Sequence, residues 1–201
     1  MPEPKKVLLY FHGNAGEALQ RTWLERLDPQ RQMTIVLAEY PGFGGRKGIA
    51  TEDAIFASSL EIYDEVKVRY DVPVTVFGES LGTGVASYLA SQRPIESLAL
   101  AAPFTSAVDV ASQTLWYFPV RPIMRDRFNS RKYLADVKVP LHIIHGVDDT
   151  LIPIEHARRL HEAYTGTDKA LDEIPGFGHN DLQQAILFSQ EAEEFRAFLR
   201  K

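Results

Sequence analysis

The chain predicts an α/β fold in three layers: a mostly parallel sheet of about six strands, helices on both faces and a small lid. Three observations lead to it. Short apolar runs, too short for helices, alternate along the chain with segments whose apolar residues recur at helical spacing. Several of the apolar runs end in glycine-rich loops. The 201 residues fit one domain, spanning 1–201, with a three-layer core that needs neither disulfide nor metal staples.

Val7-Leu8-Leu9-Tyr10-Phe11 reads as a buried parallel strand, and His12-Gly13-Asn14-Ala15-Gly16 as the loop after it. From Glu17 to Leu27, the residues Leu19, Trp23, Leu24 and Leu27 keep helical spacing until Asp28-Pro29 stops them. Met33 to Ala38 is a second strand, followed by the loop Tyr40-Pro41-Gly42-Phe43-Gly44-Gly45. Thr51 has the place of an N-cap, with Asp53 in the first turn of a long helix carrying Ile55, Leu60, Ile62, Tyr63 and Val66. Pro73 opens a third strand, which runs into Gly78-Glu79-Ser80-Leu81-Gly82 and then directly into helix-forming residues from Val85.

Ser97 to Ala102 is a fourth strand. The stretch 103–137 then loses regularity; it is longer than an ordinary strand-to-helix connection and crowded with Phe104, Trp116, Tyr117, Phe118, Pro119 and Pro122. It reads as short helices forming a lid. Val139 to Ile144 resumes the sheet and ends at His145-Gly146-Val147-Asp148-Asp149; Ile154 to Tyr164 is helical, and Ala170 to Ile174 is the last strand. The loop Pro175-Gly176-Phe177-Gly178-His179-Asn180-Asp181 leads into one closing amphipathic helix, Leu182 to Leu199.

Composition narrows the possible functions. A net charge of -5, with no basic run interleaved with aromatics, argues against a nucleic-acid partner. The absence of cysteine excludes disulfides, thiolate metal sites and cysteine nucleophiles. No apolar run reaches the ~20 residues that span a bilayer, and the first strand follows Met1 too closely for a signal peptide. The expectation is a cytoplasmic protein without stable membrane insertion. The remaining histidines lack metal-ligand spacing and the glycine loops do not match a dinucleotide fingerprint, so no metal and no cofactor are expected. The sequence leaves the oligomeric state open.

The chemistry gathers on Ser80. A strand that runs into a helix through Gly78-x-Ser80-x-Gly82 must turn sharply at the serine, bringing the residues two before and two after it close together. Such a serine, as a nucleophile, needs a base to take its proton and a carboxylate to orient that base. His179 follows a strand and a Gly-Phe-Gly loop, at the sheet edge expected for Ser80. His142 lies inside a strand and His156 and His161 on a helix, so packing or surface roles suit them better; His145 precedes Gly146 and reads as a structural hydrogen bonder. For the acid, Asp148 and Asp149 both lie just past the strand that ends at His145, and their positions alone separate them weakly.

The order Ser80, aspartate, His179 resembles that of the α/β-hydrolases, and the resemblance runs through nearly the whole chain. His12-Gly13-Asn14 is similar to the oxyanion loop, Gly78-Glu79-Ser80-Leu81-Gly82 to the nucleophile elbow, and Gly178-His179 to the base loop. His145-Gly146-Val147-Asp148-Asp149 resembles the His-Gly-x-x-Asp acid motif, which selects Asp149. Within the family, His-Gly-Asn-Ala-Gly, Tyr-Pro-Gly-Phe-Gly, Gly-Glu-Ser-Leu-Gly-Thr-Gly, Ala-Pro-Phe-Thr-Ser and Gly-His-Asn-Asp are similar to the Bem46, ABHD13 and ABHD17-like branch. Members of that branch are often membrane-anchored, and some remove acyl groups from proteins. Against that pattern the chain shows neither an N-terminal apolar anchor nor the first two strands usual in the fold, which implies a minimal sheet.

What the resemblance implies is a serine hydrolase of carboxylic esters with short or medium acyl chains, acting on a small-molecule ester through an acyl-enzyme. The backbone N–H groups of Leu81 and Asn14 are the implied oxyanion donors. Tyr40, Phe43, Phe104, Trp116, Tyr117, Ile152 and Phe177 are candidates for an apolar acyl pocket, the alternative being that most belong to the core. Arg121, Arg125, Arg127 and Arg131 cluster in the lid, either as a solvated face or as an attractor for an anionic substrate or membrane surface. Acyl thioester or peptide hydrolysis fits the same three residues, and a non-catalytic small-molecule receptor is the competing reading from another class.

Overall fold

The computed structural model describes residues 4–201; Met1, read above as the chain start, lies outside the described residues. Six strands, β1 (Lys6–Phe11), β2 (Met33–Ala38), β3 (Val74–Glu79), β4 (Ser97–Ala101), β5 (Leu141–Gly146) and β6 (Lys169–Ile174), form one sheet in the order β2-β1-β3-β4-β5-β6. Every neighbouring pair is parallel. Because strand side chains alternate, each apolar run feeds two cores. Val7, Leu9 and Phe11 pack on one face with Ile55, Tyr63 and Leu89. Leu8 and Tyr10 pack on the other with Trp23, Leu24, Phe195 and Leu199. Helices α1 (Glu52–Arg69) and α2 (Leu81–Gln92) cover the first face, and the C-terminal helices cover the second.

The topology fixes where a ligand crevice opens. From β1 the chain goes outward to β2, then returns across β1 to β3 and proceeds the other way. Strand order therefore reverses between β1 and β3, and their carboxyl ends diverge into loops that cannot cover each other. In the β1–β3 register Phe11 lies opposite Gly78, so the loop from His12 and the turn at Ser80 start side by side.

Thr51 caps α1, its hydroxyl accepting from the Ala54 N–H at 3.3 Å, with Glu52 and Asp53 in the first turn. Two expected helices differ. Ala18–Leu27 is a 3-10 segment interrupted at Arg21, whose guanidinium reaches back to the Ala15 carbonyl instead of lying along the helix. The C-terminal helix is two, α7 (Leu182–Phe188) and α8 (Glu193–Arg200), numbered after the helices described below. Ser189 Oγ accepts from the Ala192 N–H, while Arg196 takes the carbonyls of Ile186 and Ser189, so the chain breaks where side chains satisfy both helix ends.

Residues 103–137 contain α3 (Ala107–Thr114), α4 (Val120–Ile123) and α5 (Ser130–Tyr133). Glu52 pins the returning half of this segment, accepting from the N–H groups of Arg127 and Phe128 and from the Tyr133 hydroxyl. The α6 helix (Glu155–Ala163) follows β5. No helix among the described residues is long and apolar enough to cross a membrane.

The tightest contact in the sheet-to-helix junctions is at Gly82, where an added Cβ would lie 2.0 Å from the Phe11 carbonyl oxygen. Backbone cannot yield as a side chain can, so Gly82→Ala is expected to destabilise by about 2 kcal/mol or more. That is a fall in melting temperature of at least ~4 °C for a chain of this size. Calorimetry checks it; a variant that melts with the wild type removes this contact as a constraint.

Candidate active site

Ser80 stands between the end of β3 and the start of α2 with φ 52° and ψ -117°. Its backbone is held there by its N–H donating to the Ala101 carbonyl at 2.9 Å and by its own carbonyl accepting from the Thr83 N–H at 2.9 Å. A non-glycine residue in this region carries strain of about 1–3 kcal/mol, offset by the surrounding packing. The flanking glycines are required by contact as well as by turn geometry. A Cβ on Gly78 would meet the Gly82 carbonyl oxygen at 2.4 Å.

His179 comes from the loop after β6 and Asp149 from the loop after β5. The structure brings both to Ser80. The Ser80 hydroxyl lies 3.0 Å from His179 Nε2, placed to donate to it. On the other side of the ring, His179 Nδ1 donates to Asp149 Oδ2 at 2.7 Å. Asp148 is exposed and its N–H is spent on the Phe177 carbonyl, whereas Asp149 is buried.

Asp149 is the most heavily supported group in the site. Oδ1 accepts from the N–H groups of Leu151 and Ile152 at 2.9 and 2.8 Å, and His145 Nε2 lies 3.4 Å from Oδ2. Burial pushes its carboxyl up, but hydrogen bonds from His145, His179 and Ile152 outweigh this and hold it well below the usual carboxylate range. His145 also donates to the Ile152 carbonyl at 2.8 Å, so it ties the acid to the turn that positions it.

The loop from His12 closes the other side. A Cβ on Gly13 would lie 3.2 Å from Ser80 Cβ, so this backbone passes directly over the serine. The Leu81 N–H, in the first turn of α2, and the Asn14 N–H have no acceptor in the chain among the described residues. Both are available to a ligand oxygen. The loop is fastened from below: His12 Nε2 donates to Glu39 Oε1 at 2.9 Å, and the Tyr40 hydroxyl donates to the His12 carbonyl at 2.8 Å. Glu39 also accepts from the Ala18 N–H at 2.9 Å. Glu79, next to Ser80, accepts from the Tyr10 hydroxyl and lies 3.6 Å from Arg21, which in turn holds the Ala15 carbonyl at 3.0 Å.

The seven side chains assigned to an acyl pocket from the sequence do not gather into one cavity. Tyr40, Phe104 and Ile152 are buried, Tyr40 against Phe11 and His12, Phe104 beside Gly84, and Ile152 with its backbone bound to Asp149. Phe43 and Phe177 are partly buried, Phe43 stacked edgewise on His12 and Tyr40. Trp116 and Tyr117 stand in solvent, 83% and 71% exposed. The core alternative describes the first three, and neither reading describes the last two.

Sequence reasoning missed the supporting groups Glu39, Tyr10, Arg21 and the contact of His145 with Asp149. An acidic residue at the carboxyl end of β2 was the available signal for Glu39, but its meaning depends on β2 lying beside β1, which only the register supplies. Among the described residues no group of three or more His, Asp or Glu is placed to hold a metal ion.

No known family model matches the chain. An uncharacterized protein of Mycobacterium tuberculosis is 33% identical over 178 residues, covering 87% of this chain and 63% of the relative. The chain thus spans less than two thirds of that relative's length. The putative alpha/beta hydrolase L404 of Acanthamoeba polyphaga mimivirus is 30% identical over 200 residues, covering 96% of this chain and 73% of L404. Among solved structures, Est1E from Butyrivibrio proteoclasticus, with ferulic acid bound, superposes with a TM-score of 0.81 at 18% identity, covering 100% of this chain and 92% of that one. With the parallel sheet, the loops gathered at its carboxyl edge and these relatives together, the chain belongs to the α/β-hydrolase superfamily.

Proposed function

We propose that this chain is a serine hydrolase of carboxylic esters, with Ser80 as nucleophile, His179 as general base and Asp149 as the residue that orients the base. The observation that carries the reading is the continuous line of hydrogen bonds from Ser80 Oγ through the His179 ring to Asp149, at 3.0 and 2.7 Å. In this reading His179 Nε2 takes the hydroxyl proton as Ser80 attacks the acyl carbonyl. Asp149 keeps the Nδ1–H tautomer and stabilises the imidazolium that forms. The oxyanion is met by the free N–H groups of Leu81 and Asn14. His179 then returns its proton to the leaving alcohol, and water releases the acyl group by the same sequence. The substrate class is a small ester with a short or medium acyl chain.

A fluorophosphonate probe is expected to label the wild type and leave Ser80→Ala unlabelled, with kcat for a p-nitrophenyl ester falling on the order of 10⁵- to 10⁶-fold. Labelling that persists in Ser80→Ala removes Ser80 as the nucleophile. Matched p-nitrophenyl esters, acyl thioesters and peptide amides are expected to rank in that order; faster thioester cleavage at equal acyl length replaces the ester reading with a thioesterase.

Asp149 supplies both a rate prediction and a pH prediction. Asp149→Asn, which leaves the ring in the wrong tautomer, is expected to lower kcat about 10⁴-fold at neutral pH. Because the Asp149 carboxyl is depressed in the folded chain, its ionised form adds stability above the ordinary carboxylate value of about 3.9. That contribution is lost as pH falls through the lower folded value. Urea melts at neutral pH and below about pH 4 are therefore expected to show the stability gap between wild type and Asp149→Asn narrowing with acid. A gap independent of pH contradicts the supported carboxylate.

A further inference from the structure

Eleven large apolar side chains are exposed among the described residues, and six of them are scattered through the chain. The other five, Leu115, Trp116, Tyr117, Phe118 and Ile123, fall within nine consecutive residues, on and beside the turn joining α3 to α4. Scattered exposed residues need no explanation, but a contiguous apolar patch marks a contact surface. Trp116 and Tyr117 touch only edgewise, with ring centroids 5.9 Å apart.

Charge identifies the occupant. The chain carries -5 overall, yet between positions 121 and 132 stand Arg121, Arg125, Arg127, Arg131 and Lys132 against a single acid, Asp126. Asp126 is occupied in accepting from the Glu52 N–H, and among the described residues Arg121 alone of these arginines has an acidic partner, Asp109 at 2.8 Å. Beside the tip lies a cleft of about 320 Å³ whose lining sets Arg121, Arg131 and Arg159 against one carboxylate, Asp109, which Arg121 pairs, and includes Ser112. Ser112 Oγ is buried there without a hydrogen-bond partner.

Tryptophan and tyrosine favour the headgroup level of a bilayer, where one end of the ring is apolar and the other wet, and arginines beside them attract anionic lipid. A second copy of the chain fits poorly: a twofold contact at this patch sets the same arginines against each other. We propose that residues 115–132 dock this chain on an anionic phospholipid surface. The aromatic tip enters the headgroup layer, the arginines meet lipid phosphates, and the cleft seats one of them. Because α3 follows the carboxyl end of β4, docking turns the Ser80 edge of the sheet toward the lipid. That orientation rests on the hydrolase reading; the docking itself does not.

Sedimentation of the full chain with vesicles tests it, using phosphatidylcholine alone and phosphatidylcholine with phosphatidylglycerol, at low and high salt. The same assay on Ser80→Ala keeps the outcome readable if hydrolysis fails. Binding is expected only to the anionic vesicles, weakened by salt, with a blue shift in the emission of exposed Trp116 that buried Trp23 does not give. Each arginine removed is expected to lower the partition about fivefold, so that Arg125→Gln, Arg127→Gln and Arg131→Gln together lower it roughly a hundredfold. Trp116→Ser with Tyr117→Ser is expected to lower it by at least about tenfold at unchanged charge and unchanged melting temperature. Three results overturn the proposal: no partition onto anionic vesicles, displacement by inorganic phosphate at the concentration of the lipid phosphate, or a dimer in the ultracentrifuge that the Trp116→Ser, Tyr117→Ser pair dissolves.

Discussion

The approach of α2 to the end of β1 is the constraint on which the site depends. Gly82 lies so close to the Phe11 carbonyl that no side chain fits between them, and this contact brings the first turn of the helix up to the sheet. With the helix start fixed there and the end of β3 fixed by its pairing with β1 and β4, one residue must absorb the change of direction. Ser80 absorbs it with a positive φ, and its side chain is presented at the top of the sheet. The strain is small against the burial around it, since β1 and β3 supply fully buried residues to both cores. The first-turn amide of Leu81 is left unpaired by the same geometry, because the four leading N–H groups of a helix have no partner within it.

Around this turn, three loops are held by one device, a carboxylate at or just past the end of a strand. Glu39 after β2 binds His12 and the Ala18 N–H; Glu79 at the end of β3 binds Tyr10 and faces Arg21; Asp149 after β5 binds His179, His145 and two backbone amides. The Asp149 carboxylate is fully buried, and a carboxylate in a dry site is unfavourable unless its oxygens are saturated, which requires the neighbouring loop to adopt one conformation. Glu39 and Glu79 are partly exposed and hold their loops through their hydrogen bonds and charge contacts. Only Asp149 also faces a ring that touches Ser80.

This explains which parts were legible in the sequence. The six strands and the elbow announce themselves through local features, namely apolar runs bounded by glycine and proline, and a serine flanked by two glycines. His179 and Asp149 were legible because the order of motifs, rather than any contact, points to them. Glu39, Arg21 and Tyr10 were not, since their roles arise from strand neighbours that lie far apart in sequence; β2 lies beside β1, and β1 beside β3. The closing helix was read as continuous because its apolar spacing carries across residues 189–192, whereas the break is made by hydrogen bonds from Ser189 and Arg196 that periodicity does not register.

The segment 103–137 shows a different failure of local reading, because aromatic residues in a loop are evidence of an apolar contact but not of which one. Phe104 and Phe128 are buried at the two ends of the segment, where the chain leaves β4 and where Glu52 fastens its return to the start of α1. Between those anchors the backbone must reverse, and the residues at the reversal, Leu115 to Phe118, are exposed. Their exposure follows from the topology of the excursion. Moving the returning half would take the Arg127 and Phe128 N–H groups and the Tyr133 hydroxyl away from the partly buried Glu52 carboxylate. Glu52 thus anchors the far side of the segment whose tip carries the exposed aromatic residues.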